Sequence, residues 1–204
     1  MATIKSVLDT YVRTELEDLM NTRWSDDQLL VFFRQAVKRA NAIGIQRRLE
    51  FMKDKEDVVI TAGVAEFDLP DDFFTPISLI NTGDKRELIQ KTGRDMDKVV
   101  STSALSLYSI EGTSVYLKDA STVDATLRFR YFVSVDPAAL TLSDQSPWGS
   151  KLDVLLAEYV AFRARKVDRY DTSVDRAALK DLEDNILFTY SSQNSTIIKS
   201  VGWL

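Results

Sequence analysis

At 204 residues, with 45% hydrophobic and 28% charged side chains, the chain has the make-up of an ordinary folded protein, one domain or a domain carrying a sizeable insertion. It contains no cysteine and no histidine, which excludes disulfides, thiolate nucleophiles, the usual zinc sites and the commonest general base near neutral pH. A formal net charge of −5 argues against a nucleic-acid reader, and no apolar run approaches the roughly 20 residues of a membrane helix. Asp9, Arg13 and Glu15 follow the start too closely for a signal peptide, so a cytoplasm-like compartment is expected.

Ile4, Leu8, Tyr11, Val12, Leu16 and Leu19 share one face at helical spacing, which predicts a first helix. Asn21-Thr22-Arg23-Trp24 breaks the pattern. Ser25-Asp26-Asp27-Gln28 then has the form of a capping box, in which Ser25 and Gln28 cover the free amides of a second helix. Its apolar positions are Leu29, Phe32, Phe33, Ala36, Val37, Ala40 and Ile43, and the pattern can run on to Phe51. A helix over 25–51 would span about 40 Å at about 1.5 Å per residue, with Gly44 weakening but not ending it. The short connection predicts an antiparallel helical hairpin.

The period then changes to alternation. Val58 to Thr61 and Ala65 to Leu69, around Ala62-Gly63, predict a β-hairpin closed by Pro70. Pro76 to Ile80 and Lys85 to Ile89 flank the turn Asn81-Thr82-Gly83-Asp84, and Asp95 to Val100 suits a short helical turn. Ser103 to Ile110 and Ser114 to Lys118 flank Glu111-Gly112-Thr113. Leu127, Phe129, Tyr131 and Val133 alternate with Arg128 and Arg130, the pattern of a half-buried strand. After a Ser/Asp/Pro-rich linker from Asp136 to Pro147, helical spacing resumes at Leu152, Leu155, Leu156 and Tyr159. That helix ends in Arg163, Arg165, Lys166 and Arg169, cations suited to the negative end of its dipole. A last helix starts near Thr172 or Ser173 and places Leu179, Leu182, Ile186 and Leu187 on one face. The expected class is therefore α+β. Four amphipathic helices, two N-terminal and two C-terminal, bracket a mid-chain antiparallel β-meander. The boundaries are a single domain over 1–190 (helices within 3–54 and 150–189, β-insertion 57–135) and an extended C-terminal tail over 191–204.

The candidate chemistry is thin. Asp26-Asp27 sits in a first helical turn, where acids are favoured electrostatically, and Asp71-Asp72 follows Pro70. Acids adjacent in sequence point different ways, which disfavours paired acid/base work. Arg47-Arg48 with Lys53 and Lys55 is interleaved by Glu50, Asp54, Glu56 and Asp57, the pattern of a solvated helix end with ion pairs. Gly83-Asp84-Lys85 and Gly93-Arg94-Asp95 lack phosphate-loop spacing, and Phe32 and Phe33 fall on a core stripe. No catalytic residue, cofactor site or metal site is expected. The segment without an ordinary structural role is the tail. A polar spacer, Ser191-Ser192-Gln193-Asn194-Ser195, precedes Ile197, Ile198, Val201, Trp203 and Leu204. These anchors either fold back onto their own domain or, as favoured here, dock on a partner with loss of chain entropy.

Trp24-Ser25-Asp26-Asp27-Gln28-Leu29-Leu30, the long helix after it, and Ile60-Thr61-Ala62-Gly63-Val64-Ala65-Glu66-Phe67-Asp68-Leu69-Pro70-Asp71-Asp72-Phe73 carry a resemblance. With Tyr108 to Gly112, Leu127 to Phe132 and the helical pair from Lys151 to Phe188, the chain resembles the head-to-tail connectors of tailed bacteriophages, the adaptor or tubular tail protein A-like family. The resemblance covers about residues 20–190 as element order and loose phrases, and from Ser191 onward no phrase matches. It implies a virion neck or tail protein, assembled in the host cytoplasm, with about twelve copies in a ring below the portal. The C-terminal tail would reach the portal, giving portal-binding roles to Ile197, Ile198, Val201, Trp203 and Leu204. The β region would meet neighbours or the next tail or nozzle component. Double-stranded DNA would pass through the lumen unbound: −5 per chain over about twelve copies gives about −60, which repels phosphate. The alternatives are a cell-wall hydrolase using Asp71 or Asp72, and a non-viral protein-interaction domain.

Overall fold

The computed structural model describes residues 2–100, 105–168 and 172–191. The described residues form two compact units: one takes those up to Met52 and those from Val135 onward, and the other lies within Lys53–Ser134. The first is helical, the second a β-sheet, which makes the class α+β.

The helical unit opens with α1, residues 4–15, capped by the Thr3 hydroxyl, which accepts from the Ser6 amide. Its centre, Leu8–Val12, is a π turn. The extra residue rotates everything after it relative to an ideal helix. Tyr11, expected inside, is therefore 46% exposed, and Arg13 takes an interior position at 2%. Leu19 lies beyond the helix altogether and is exposed. Helix α2, Asp26–Gln46, begins with the expected capping box: Gln28 N–H donates to Ser25 Oγ (3.2 Å) and Ser25 N–H to Gln28 Oε1 (3.0 Å). It ends earlier than residue 51 because Arg48 takes a left-handed φ of 54° and the chain folds back through a 3₁₀ turn, Glu50–Met52. Leu49 and buried Met52 return to Gly44, where a Cβ would stand 2.1 Å from Met52 Sδ. Gly44 is thus the point at which the returning chain is admitted.

Helix α1 packs chiefly on a later helix, Asp153–Val167, not in a simple hairpin with α2. That helix also lies against α2 and against the last one, Ser173–Ser191. Its Leu155, Leu156, Val160, Ala161 and Ala164 are buried and meet a core built from Ile4, Val7, Leu8, Leu29, Phe33 and Val37. The linker is tied down: Ile4 and Lys5 amides donate to the Asp144 and Leu142 carbonyls, and Arg34 to the Leu140 carbonyl. Buried Asn41 holds Val135 at both backbone atoms (2.8 and 3.2 Å). No helix among the described residues is long and apolar enough to cross a membrane.

Among the described residues the β unit has seven strands: β1 Lys53–Ile60, β2 Glu66–Asp68, β3 Phe73–Asn81, β4 Arg86–Gln90, β5 Leu107–Glu111, β6 Ser114–Leu117 and β7 Ala125–Val133. A short α3, Gly93–Met96, lies between β4 and β5, so the two longer C-terminal helices become α4 (Asp153–Val167) and α5 (Ser173–Ser191). The order is β1-β7-β3-β4-β5-β6-β2, not a meander. The β3–β4 and β5–β6 hairpins form as expected, but β4 and β5 are parallel, joined by the α3 crossover. The expected β1–β2 hairpin does not form among the described residues: β2 pairs with β6 instead. Gly63 turns at φ 85° and its amide donates to the Ser121 carbonyl, while Ala62 N–H donates to Asp124. These bonds draw the connection onto the β6–β7 loop, and β1 pairs along its full length with β7. The sheet curls upon itself: Phe67 of β2 meets Phe129 of β7 edge-on at 6.3 Å, although four strands separate β2 and β7 in the order. Phe129 also stacks on Phe73 and Tyr131, closing a barrel-like core with Ile60, Leu79, Val115 and Leu127.

Candidate functional site

Between α1 and α2 the chain makes a corner held by buried charge. The Arg13 guanidinium donates to Asp9 (3.3 Å), Asp18 (3.1 Å), the Trp24 carbonyl (3.0 Å) and Asp26 (2.5 Å). Asp18, itself 4% exposed, accepts from the amides of Thr22, Arg23 and Trp24, each at 3.0 Å. Burial pushes the Asp18 carboxyl up, but the three amides outweigh it and hold the group below its usual value. Lys5 and Arg13 together hold Asp26 low as well. The corner costs backbone strain, since Glu17 (φ 54°) and Asn21 (φ 53°) are left-handed. It displays Leu19 at 68% and Met20 at 84% exposure, two apolar side chains on a loop too well anchored to collapse inward.

Beside the corner a groove of about 360 Å³ is lined by Glu15, Leu16, Arg23, Trp24, Arg165 and Asp168, among others. Its walls are ion pairs: Arg165 with Glu15 (2.5 Å) and Asp175 (3.0 Å), and Arg23 with Asp168 (2.8 Å). Burial lowers the Arg165 pKa, but Glu15 and Asp175 more than offset this. A smaller recess between α1 and α4 includes Tyr11, Val154 and Glu158, whose carboxyl is raised by burial first and by Glu15 next. These recesses are open, and the charges that wall the larger one are committed to ion pairs. They suit contact with another surface better than enclosure of a small reactant.

In the β unit, Asp57 receives a bidentate contact from Arg128 (2.7 and 2.8 Å), and the Tyr131 hydroxyl donates to Asp72 (3.2 Å). Burial, then the charge of Asp72, holds the Tyr131 phenol well above its ordinary range. Among the described residues no group of three or more acids is arranged to hold a metal ion.

Against known families, residues 2–190 match the SU10 adaptor protein family, nearly the whole chain. The chain belongs to that family. It is a family of bacteriophage adaptors, so the chain is a phage structural adaptor, acting among other head and tail proteins. No curated protein matches it.

The sequence-derived sites of this adaptor are distributed, not convergent. The five tail anchors, Ile197, Ile198, Val201, Trp203 and Leu204, lie outside the described residues. Helix α5 continues to Ser191, the first residue assigned to the tail. Asp71 and Asp72 are exposed at the turn before β3. Arg47 and Arg48 are exposed and, among the described residues, in no ion pair, unlike the paired helix end expected from the sequence. Arg163 binds Gln35 through two nitrogens, so it and Arg165 are intramolecular braces. Sequence reasoning missed Arg13 and Asn41, whose polar type hides their burial. The signal for Arg13 was Asp9 at the i,i+4 spacing of an ordinary surface helix pair, which does not announce burial or the bonds to Asp18 and Asp26.

Proposed function

We propose that the chain is one subunit of a ring of about twelve that forms the phage head-to-tail connector, docks on the portal and links it to the next tail or nozzle component. Double-stranded DNA passes through the lumen without specific binding, and the subunit performs no turnover. The observation that carries this reading is membership of the adaptor family across residues 2–190. Two features support it. The corner displays Leu19 and Met20 on an anchored loop, and the open, charge-walled recesses of the helical unit suit surface contact. In this reading Ile197, Ile198, Val201, Trp203 and Leu204 supply the portal anchor, the protein resides in the virion, and assembly occurs in the host cytoplasm.

Truncation after Ser191 tests the anchor. The shortened chain should keep its circular dichroism and melting curve, since α5 is intact. It should no longer be retained by immobilised portal protein of the same phage. Undiminished retention would remove the tail from the portal contact. Failure of the intact chain to bind portal, or to appear there in multiple copies by native mass spectrometry, would defeat the connector reading itself.

A further inference from the structure

The β1–β7 ribbon is electrically two-faced. On its outer face Lys55 stands directly opposite Arg130. A like-charged cross-strand pair is destabilising unless something neutralises it. Among the described residues neither cation forms a close ion pair: Asp57, the acid of that face, feels the charge of Lys55 but is bound by Arg128, which leaves one acid against three cations. Lysine on an edge strand often serves only to discourage pairing. That does not account for Arg130, because β7 is flanked on both sides, by β1 and β3, and has no edge to guard.

Next to Arg130, β3 carries two irregularities of register, between Phe73 and Thr75 and between Pro76 and Ser78. The extra residues are Phe74 and Ile77, and they are exposed by 53% and 38%. A bulge re-aims a side chain. Here two successive bulges turn two apolar side chains away from the barrel core, where Phe73 and Leu79 remain. The opposite face has the complementary charge. Asp54 lies opposite Tyr131 and Glu56 opposite Phe129, while Asp72 accepts from the Tyr131 hydroxyl. All three carboxylates act on that phenol, and none is in an ion pair among the described residues.

We infer that this ribbon joins the adaptor to a second copy of itself, the cationic outer face of one copy (Lys55 and Arg130, with Phe74 and Ile77) meeting the acidic rim of the next (Asp54, Glu56 and Asp72). The two patches differ, so the contact is heterologous and repeats from copy to copy, closing where the rotation permits. It rests on the ring reading above and names the surfaces that would build the ring. Charge complementarity selects a second copy over a polyanion: a nucleic-acid surface would present the cations without an equal number of bare acids on the same strand.

The chain has no cysteine, so introduced thiols are unique. Ser78→Cys marks the outer face and Asp71→Cys the rim. The full-length single variants, distinguished by a tag, are oxidised separately and together at high concentration. The mixture should yield mixed disulfide dimers in roughly tenfold excess over either homodimer. The excess should vanish in about 1 M salt, where screening acts within about 3 Å. Adding Lys55→Glu with Arg130→Glu to the Ser78→Cys chain should abolish cross-linking to Asp71→Cys. Cross-linking should return when the partner also carries Asp54→Lys with Glu56→Lys. Equal homodimer yields, no mixed dimer, or indifference to charge reversal would overturn the inference. Duplex DNA retained by the intact chain and lost on reversal, without mixed dimers, would overturn it in favour of phosphate binding. Closed rings on the portal from the reversed chain would refute this interface and leave the connector reading standing. A portal-bound intact chain that never exceeds one copy would remove both.

Discussion

Replacing Arg13 with Met is the sharpest test of how the corner is held. The methionine keeps the apolar stem of the side chain and removes every bond of a guanidinium that is 2% exposed. Its buried partner is Asp18, at 3.1 Å. Removing one member of a buried pair costs about 3–5 kcal/mol because the other charge is left behind. The three amides that also bind Asp18 place the cost near the lower end, about 3 kcal/mol. Asp26 contributes little, being partly exposed and still paired with Lys5 at 2.7 Å. For a chain of this size about 3 kcal/mol lowers the melting temperature by roughly 6–12 °C. Urea denaturation followed by circular dichroism should show a lower midpoint with an unchanged slope. Adding Asp18→Asn to Arg13→Met should cost less than the sum of the two single changes, because the orphaned charge is gone. The pH dependence has a fixed sign. The folded Asp18 carboxyl titrates below its ordinary value, so its stabilisation is complete above the unfolded pKa and is lost as pH falls through about 4 toward the folded pKa. Asp18→Asn should flatten that acid limb. A cost for Arg13→Met below about 1 kcal/mol, or strict additivity with Asp18→Asn, would show that the corner does not depend on the pair.

Gly44→Ala should destabilise the chain by about 1–3 kcal/mol, although alanine favours helix, because the new methyl meets buried Met52. Met52→Val in the same chain should recover part of that loss in a thermal melt. Tyr131→Phe should cost about 0.5–1.5 kcal/mol through the lost bond to Asp72, and ultraviolet titration of the phenols should lose one late-ionising group. Leu19→Ser with Met20→Ser should leave the melting temperature within a few degrees, since both side chains are already exposed. The same pair should weaken assembly on the portal, measured by sedimentation of the mixture. Unchanged assembly would reduce the loop to a structural corner.

Local patterns were legible in the sequence wherever they were sufficient. The capping box at Ser25 and Gln28 and the alternation of β7 appear where the residues alone place them, and the turn expected at Asn81 to Asp84 forms one residue later, between paired Asn81 and Arg86. Strand pairing was not legible, because the apolar run Val58 to Ile60 suits more than one partner strand. The choice rests on the amides of Ala62 and Gly63, which donate to the Asp124 carboxylate and the Ser121 carbonyl some sixty positions away. The π turn escaped for a related reason: it shifts phase without a glycine or proline to mark it, so Tyr11 and Arg13 exchanged their expected surroundings.

The candidate surfaces were obscured by averaging. A net charge of −5 gives a uniform acidic protein, which is the premise of a lumen that repels DNA. The run Lys53-Asp54-Lys55-Glu56-Asp57 looks neutralised when read as the fringe of a helix, where all its charges share one end. As strand β1 the same run is sorted by the period of two, with Lys53, Lys55 and Asp57 toward one face and Asp54 and Glu56 toward the other. Secondary structure thus decides whether neighbouring charges cancel or separate. The acid of the lysine face, Asp57, faces Lys55 but is bound through both oxygens by Arg128, and Arg130 on the adjoining strand, opposite Lys55, leaves that face with more cations than acids. Such an arrangement has a physical use if the missing counter-charges arrive on another molecule. The opposite face of the same ribbon, with Asp54, Glu56 and Asp72, carries counter-charges of that kind.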